Sequence, residues 1–416
     1  MGRLCDRGRL RLRAVSPADA VGVACLRAPR PLGPTALTAP WLLPRAAAAA
    51  AAAARVLRGA CRGLRRRRRM ASAGASSSSS SSSGAPEEAR AVLGGQGWPL
   101  GPDRGGGGGG GGYDSAPLEA PDPARLRRNT CYIVLAVLLN EKKEVLVMQE
   151  AKPECYGSWY LPAGRMEPRE TVLQALRREV KEETGLLCQP LTLLAVEERG
   201  PGWIRFVFLA RPTGGTLKTL QEADGESLQA QWWNRKTPAL TLRARDILPL
   251  MELGLQYQAN PGHPPVLPAE LPCPWICQRL LLLFTGGGGG DLWVLLATAG
   301  APHLPVAASG LSPSELGERL LVGVHRLLRR CLPAPCQASA RVRGLLGVQH
   351  LGKEPGRSDG ICFNVVATLE EAGRPPKASP PALQSPDFAW WKVEDGALRS
   401  KILQRLSQDA FVPVRS

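Results

Sequence analysis

The sequence predicts an α+β protein with two domains, and three observations lead there. Apolar runs of strand length alternate irregularly with a few amphipathic stretches long enough for helices. A Pro-rich segment, "NPGHPPVLPAELPCP" over residues 260–274, separates two blocks of comparable length. The second block then repeats the first in outline.

Residues 1–69 hold sixteen arginines against two acids, Asp6 and Asp19, and contain no Lys, Glu, Gln, Asn, Ile, Phe or Tyr. Nine alanines run from Ala46 to Ala54, and five arginines, Arg65 to Arg69, end against Met70. We read this stretch as an upstream extension with Met70 as the natural start. The alternative is a transit-like leader, since such leaders are Arg-rich and poor in acids. The stretch holds most of the formal charge of +17, because residues 70–416 carry 37 Lys+Arg against 34 Asp+Glu. The basic balance therefore does not point to nucleic acid as a partner.

Residues 70–123 are Ser- and Gly-rich, with homopolymer runs at Ser76–Ser83 and Gly105–Gly112. Such composition buries too little apolar surface to offset its ordering entropy, so a disordered tail is expected. The first domain spans 124–258. "CYIVLAVLL" and "EVLVMQE" read as two strands joined by a polar turn, and "GSWYLPAG" as a strand running into a loop. A helix is expected from about Glu170 to Glu183, with Val172, Leu173, Leu176 and Val180 as its apolar stripe and Gly185 as its stop. Strands at "LTLLAVEE", "WIRFVFLARP" and "SLQAQWW" follow, then a helix near Asp246–Tyr257.

Beyond the linker at 259–274, residues 275–416 form the second domain. "CQRLLLLFT" and "DLWVLLATA" stand where the first two strands stood, and "HLPVAAS" lines up with "YLPAGRM". "ICFNVVATL" answers "IRFVFLARP", and Trp390–Trp391 answer Trp232–Trp233. The domain is expected to be a second, divergent copy of the first. With Glu315 set against Glu170, Gly323 falls at the place of Arg178, and Val324, Leu327 and Leu328 fall at those of Glu179, Glu182 and Glu183. That apolar face is expected to pack against the first domain or a second subunit. No apolar run reaches the 18 or so residues of a membrane span, so no membrane partner is expected. The eleven cysteines show no paired spacing, and Cys273–Cys277 is a lone C-x3-C. A reducing compartment is expected, cytoplasmic or nuclear, and mitochondrial only if residues 1–69 are a genuine leader.

The stretch "LPAGRMEPRETVLQALRREVKEETGL" carries five glutamates in 26 residues. Glu179, Glu182 and Glu183, at i, i+3 and i+4, project from one side of the helix, beside its apolar stripe. Carboxylates crowded there need a cation, and clustered hard oxygens suit Mg²⁺ or Mn²⁺. The loop Pro162-Ala163-Gly164 can add backbone carbonyls. Glu170 and Arg178 are eight residues apart and can pair only if Glu170 folds back from the loop before the helix. The bland alternative is a solvated, charge-rich helix.

Gly164, Glu170, Arg178, Glu179, Val180, Glu182, Glu183, Gly185 and Leu186 fill all nine constrained positions of the pattern G-x5-E-x7-R-E-U-x-E-E-x-G-U. The chain thus resembles the Nudix hydrolase family. The resemblance covers about residues 125–255 and implies an α/β/α sandwich on a mixed sheet, with a C-terminal domain that reads as a degenerate Nudix-like repeat. It implies divalent-metal hydrolysis of a nucleoside diphosphate linked to another group. It makes Glu179, Glu182 and Glu183 metal ligands, joined by the backbone of Ala163 and Gly164, with Glu170 and Arg178 supporting. No His occurs between 125 and 255, so the proton acceptor falls to a carboxylate, Glu182 or Glu183. Ala163 stands where the family commonly has glycine, a mild departure that keeps the carbonyl.

Within the family, "GSWYLPAGRMEP", "VEERGP" and "RFVFLARPTGG" resemble the two-domain animal enzymes of MutT-homologue type that act on 8-oxo-guanine nucleoside diphosphates. That implies a small nucleotide substrate and a role in sanitising the nucleotide pool. A Nudix pyrophosphatase for ADP-ribose or capped RNA, or a nucleotide sensor without turnover, remain the alternatives. Leu146 is a pocket candidate by analogy. Trp159 and Trp203 are candidates to stack on a purine, against a core role. Glu222 and Glu226 are candidate acids from outside the motif. The second domain is expected to pack within the chain or between copies.

Overall fold

The computed structural model describes residues 84–100, 113–116, 123–200, 202–287, 291–309, 320–370 and 378–415. The expected leader over 1–69 and Glu315 lie outside the described residues. Helix α1 (Gly84–Leu93) precedes the first domain. That domain contains β1 (Cys131–Leu138), β2 (Val145–Glu150), β3 (Trp159–Tyr160), β4 (Ala163–Arg165), α2 (Val172–Thr184), β5 (Leu186–Gly200), β6 (Trp203–Gly215), β7 (Ser227–Trp233) and α3 (Ile247–Ala259). The second contains β8 (Ile276–Thr285), β9 (Leu292–Ala297), β10 (Val306–Ala308), α4 (Val322–Cys331), α5 (Ala334–Gln337), β11 (Ala340–Gln349), β12 (Ile361–Leu369), β13 (Phe388–Lys392), α6 (Gly396–Ser407) and β14 (Val414–Arg415).

Strand β1 shows why the first domain is a sandwich. Tyr132, Val134, Ala136 and Leu138 enter the core cluster shared with α2, while Leu135, Val137 and Leu139 enter a second cluster with Ile247, Leu250 and Met251 of α3. A period of two on a strand covered on both faces gives two apolar sets instead of an apolar and a polar one. Strand β6 divides the same way, with Phe206 and Phe208 on the α2 side and Val207 and Leu209 on the α3 side. The sheet is mixed: β1 runs parallel to β6, whereas β5–β6 and β1–β4 are antiparallel.

The second domain repeats this strand order. The run β11-β12-β8-β10 matches β5-β6-β1-β4, with the same parallel centre and antiparallel flanks. The registers agree as well: Tyr132 faces Ile204 as Ile276 faces Ile361, and Ala163 faces Leu135 as Val306 faces Arg279. Even an irregularity recurs, since the shift between Leu193 and Ala195 on β5 reappears between Leu345 and Gly347 on β11. A bulge is a positional feature of a strand and does not recur in register by accident. The matching residues Phe206 and Phe363 stack on one another, centroids 6.5 Å apart and planes within 12°, where the copies meet.

The copies also exchange their ends. The segment after α3 reaches the second sheet, where Ala269 pairs beside Gln349, and the segment after α6 reaches the first, where β14 pairs with Val196 and Glu197 of β5. One core cluster runs through both domains. The joint is thus intramolecular. The face of Val324, Leu327 and Leu328, expected to meet the first domain or a second subunit, belongs instead to α4 packed on β8 and β10 of its own sheet.

The expected disordered tail is corrected in part. Within 70–123, α1 buries Ala85, Ala89, Val92 and Leu93 against the outer face of the second domain, with Leu281, Leu283, Leu398 and Ile402. Spacing of i, i+4, i+7 and i+8 gives this short helix the apolar stripe that its Ser/Gly-rich surroundings hide. Tyr113–Ala116 are also placed, with Ser115 bridging to Ala307. The linker at 259–274 is packed too: Val266 and Cys273 are buried. The sulfurs of Cys273 and Cys277 stand 3.5 Å apart beside buried Cys362, and every described cysteine is free.

Candidate active site

Helix α2 begins with a capping box. Thr171 accepts from the Gln174 backbone N–H, and the Gln174 side chain accepts from the Thr171 backbone N–H. It ends at Gly185 in the left-handed region, φ 77°, where a Cβ would collide with the Thr216 carbonyl. These two fixed ends set the rotation of the helix. Val172, Leu176 and Val180 are buried on the sheet, and Glu179 and Glu183 are carried into the buried margin beside them.

Glu170 does fold back. It lies before the N-cap and accepts twice from Arg178, from Nε at 2.6 Å and Nη2 at 2.9 Å, while also accepting from the Glu167 backbone N–H at 2.9 Å. Burial pushes the Glu170 carboxyl up, but those donors outweigh it and hold it below the usual range. The same guanidinium donates to Glu179 Oε1 at 2.8 Å, Glu182 Oε2 at 3.1 Å and the Arg165 carbonyl at 3.1 Å. A planar, five-donor fork is the side chain suited to gather so many oxygens at once. Gly164 is required by the same packing, because a Cβ there would occupy the space of the Glu179 carboxylate.

Glu183 accepts from the Ala163 backbone N–H at 2.8 Å. Along β4 the bonds Ala136 N–H to Pro162 and Met166 N–H to Tyr132 alternate, so the Ala163 backbone faces α2 instead of β1. Burial, and then the neighbouring Glu179, push the Glu183 carboxyl well above the usual range, against the pull of the Ala163 N–H and Lys152. Glu179 is also raised, by burial first, although Arg178 opposes it. Glu182 is the open member of the three, with its side chain 48% exposed.

Four residues outside the motif join the cluster or line its edge. Lys152, just past β2, bridges Glu226 at 3.4 Å. Burial pulls Lys152 down, but Glu183, Glu150 and Glu226 outweigh it and hold it above its ordinary value. Glu150 is buried, with Oε1 paired to Arg243 at 2.6 Å and Oε2 meeting no partner among the described residues. Sequence reasoning missed Lys152, Glu150 and Arg243. Their signal is only three-dimensional, for they lie about twenty residues before α2 or sixty after it.

Of the proposed outer acids, Glu226 is brought to the site and its charge is felt at Glu179. Glu222 is not. It caps its own turn by accepting from the Thr219 N–H and hydroxyl at 2.9 and 3.1 Å. Leu146 is fully buried in the main core, and Trp159 is buried in the second cluster, so neither offers the free face expected of a base contact. Trp203 is half-buried and lies under the Arg165 guanidinium, 4.9 Å from its ring centre.

Among the described residues, no three acidic, His or Cys side chains stand at ligand spacing of one another as placed. Arg178 draws Glu179 and Glu182 to itself, and Glu183 turns to the Ala163 N–H. The donor set nonetheless fits a hard divalent cation. Six carboxylates, Glu150, Glu170, Glu179, Glu182, Glu183 and Glu226, face three cations, Lys152, Arg178 and Arg243, and one buried oxygen of Glu150 has no partner.

The comparisons agree with this geometry. Residues 130–253 match the model of the NUDIX domain. A human protein named 8-oxo-dGDP phosphatase NUDT18 is 55% identical over 302 residues, 72% of this chain and 92% of its own. Its mouse counterpart is 51% identical over the same shares, and that of zebrafish (Danio rerio) is 47% identical over 73% of this chain and 93% of its own. With nine motif positions filled and relatives matched across both domains, the chain belongs to the Nudix hydrolase family.

Proposed function

We propose that this chain hydrolyses oxidised purine nucleoside diphosphates, 8-oxo-dGDP and 8-oxo-GDP among them, to monophosphates with Mg²⁺, and Mn²⁺ in its place, so removing damaged nucleotides from the pool. The observation that carries the reading is the 55% identity, over 92% of its length, to a human protein bearing that activity in its name. The complete carboxylate motif supports turnover over mere nucleotide sensing.

Glu179, Glu182, Glu183 and the Ala163 carbonyl would hold the metal, with Gly164 leaving room for the approach. A bound divalent ion would neutralise diphosphate oxygens and lower the pKa of a water. Glu182, the most exposed of the three, would serve as the proton acceptor for the attacking water. Arg178, clamped by Glu170, restrains the carboxylates and fixes the loop. Lys152 faces the same carboxylates with its side chain 44% exposed and would meet the negative charge of the phosphates. One anhydride P–O bond breaks and one water is consumed per monophosphate and inorganic phosphate formed. Residues 275–416 read as an inert copy, since Gly323, Val324, Leu327 and Leu328 stand where Arg178 and the three glutamates would.

The test offers 8-oxo-dGDP, dGDP, 8-oxo-dGTP and ADP-ribose to the full chain with Mg²⁺, with Glu182→Gln run beside it. Preferred conversion of 8-oxo-dGDP to the monophosphate, lost in the variant, is the expected result. Activity confined to ADP-ribose would keep the site and discard the substrate, and inertness toward all four would favour a sensor.

A further inference from the structure

Away from the carboxylates, α1, the linker and α6 enclose a cavity of about 330 Å³. That is the small end of the range for ligand sites, roughly 300–1,000 Å³. Its walls are of two kinds. Pro265, Val266 and Leu398 make it apolar on one side, and Arg90, Lys401 and Arg405 make it cationic on the other, with no carboxylate among the lining residues.

The three cations are not equivalent. Arg90 is neutralised by Asp395 at the start of α6. Lys401 is exposed and makes no ion pair among the described residues. Arg405 is half-buried; Nη2 makes one long bond, to the Leu93 carbonyl at 3.3 Å, and Nε and Nη1 are buried without an acceptor among the described residues. A guanidinium is never neutral at physiological pH, and a buried polar group without a partner costs about 1–3 kcal/mol, more when it is charged. Both nitrogens are sealed from the cavity as it stands, so a ligand there relieves that cost by drawing the guanidinium toward it. Burial indeed holds the Arg405 group below its ordinary value.

We propose that this cavity binds a small organic anion, an apolar body bearing one or two negative charges on a carboxylate or phosphate, with Arg405 and Lys401 as its counter-ions. One charged pair satisfied by Asp395 and two cations left over set the charge of the ligand. The apolar wall sets its body. The site does not involve the Nudix carboxylates, and it does not depend on which nucleotide they act on. Because its walls come from α1, from the linker and from α6, a ligand here would tie the N-terminal helix to the linker and the second domain.

The test is calorimetric titration of the full chain in EDTA, which withholds metal from the catalytic carboxylates. Phenyl phosphate, octanoate and inorganic phosphate are the probes. Arg405→Gln and Ala397→Trp are the variants; Ala397 is exposed at the cavity wall, so a larger side chain fills the space without disturbing the core. Saturable 1:1 binding of phenyl phosphate or octanoate, weakened tenfold or more by Arg405→Gln and blocked by Ala397→Trp, is expected. The stronger of the two probes identifies the charged group. Arg405→Gln should also raise the Tm of the ligand-free protein, since it removes an unpaired buried charge. Absence of saturable binding by both organic probes, or binding that neither variant alters, overturns the proposal. So does inorganic phosphate binding as tightly as its phenyl ester, since the apolar wall would then contribute nothing.

Discussion

Replacing Glu88 by Ala removes a carboxylate that is 2% exposed from opposite a guanidinium, Arg279, that is fully buried. Glu88 Oε1 lies 2.8 Å from Arg279 Nε, an ion-pair contact not aligned as a hydrogen bond, and Glu88 Oε2 accepts from the Leu304 N–H at 2.8 Å. Arg279 would keep the Gln349 and Asn364 oxygens, at 3.0 and 3.2 Å, and the Trp98 carbonyl at 2.8 Å, but no charge would balance its own. Breaking one side of a buried pair costs about 3–5 kcal/mol. At about 2–4 °C per kcal/mol for a domain of this class, the Tm should fall by on the order of 10 °C. Chemical denaturation of the full chain measures it directly, with Glu88→Leu/Arg279→Met as the companion. An apolar pair of similar volume should recover most of the loss, because the cost lies in the stranded charge and not in the missing contact. A Glu88→Ala loss below about 1 kcal/mol would mean that Arg279 is solvated, and that α1 is not a part of the folded unit.

Three further outcomes follow from the site and the joint. Arg178→Ala should lower kcat/KM by a hundredfold or more, and Arg178→Lys should restore little of it, since a lysine cannot make the paired bonds to Glu170 while reaching Glu179; steady-state kinetics decides. Glu183 is raised in the folded state, so it contributes stability that is complete below the ordinary glutamate range and is lost as pH rises through its raised value. In EDTA the Tm of the wild type relative to that of Glu183→Gln should therefore decline from acid toward neutral pH, and a difference that does not change with pH would refute it. Deleting residues 413–416 removes β14 and the Pro413 carbonyl that accepts from the Val196 N–H at 3.1 Å; with about 0.5–1.5 kcal/mol per bond, a loss of about 2–3 kcal/mol is expected on denaturation.

The sequence made α2 legible because everything that fixes it is local. The stop at Gly185, the apolar stripe and the carboxylate spacing all lie within 26 residues, and the structure differs only in starting the helix at Val172 behind a Thr171 cap. The second copy was legible through residues that hold strand register, notably the Leu-Pro pair at 161–162 and 304–305, which precedes β4 and β10 alike. What stayed hidden was whatever depends on distant chain. Helix α1 is a ten-residue amphipathic helix in a low-complexity stretch, and the partner of its Glu88, Arg279, is 191 residues away. Lys152 and Glu150 have no motif, and only the pairing of β2 with β3 and β7 carries them to α2. The burial of Leu146 and Trp159 was not legible, because alternation on a strand covered on both sides does not say which face a ligand can reach.

The second domain has a mechanical part in the fold. Without it the first domain would expose Phe206 and Tyr132, which now pack on Phe363 and His350, and would leave the β5 edge unpaired where β14 now lies. An open edge and a bare aromatic face are both routes to aggregation. The second domain also reaches the catalytic loop. Gly352 approaches the Glu170 carbonyl so closely that a Cβ would not fit, and Lys353 donates to Gln174, the residue that closes the cap of α2. The position of Glu170, and through it of Arg178, is therefore held from outside the motif. Glutamates at 324, 327 and 328 would serve nothing in that role. Buried as those positions are, at 0, 0 and 4% exposure, three carboxylates there would cost several kcal/mol each, whereas Val324, Leu327 and Leu328 contribute about 1.5–3 kcal/mol apiece by leaving water. Apolar residues at those three positions let the second domain be a stable support for the first.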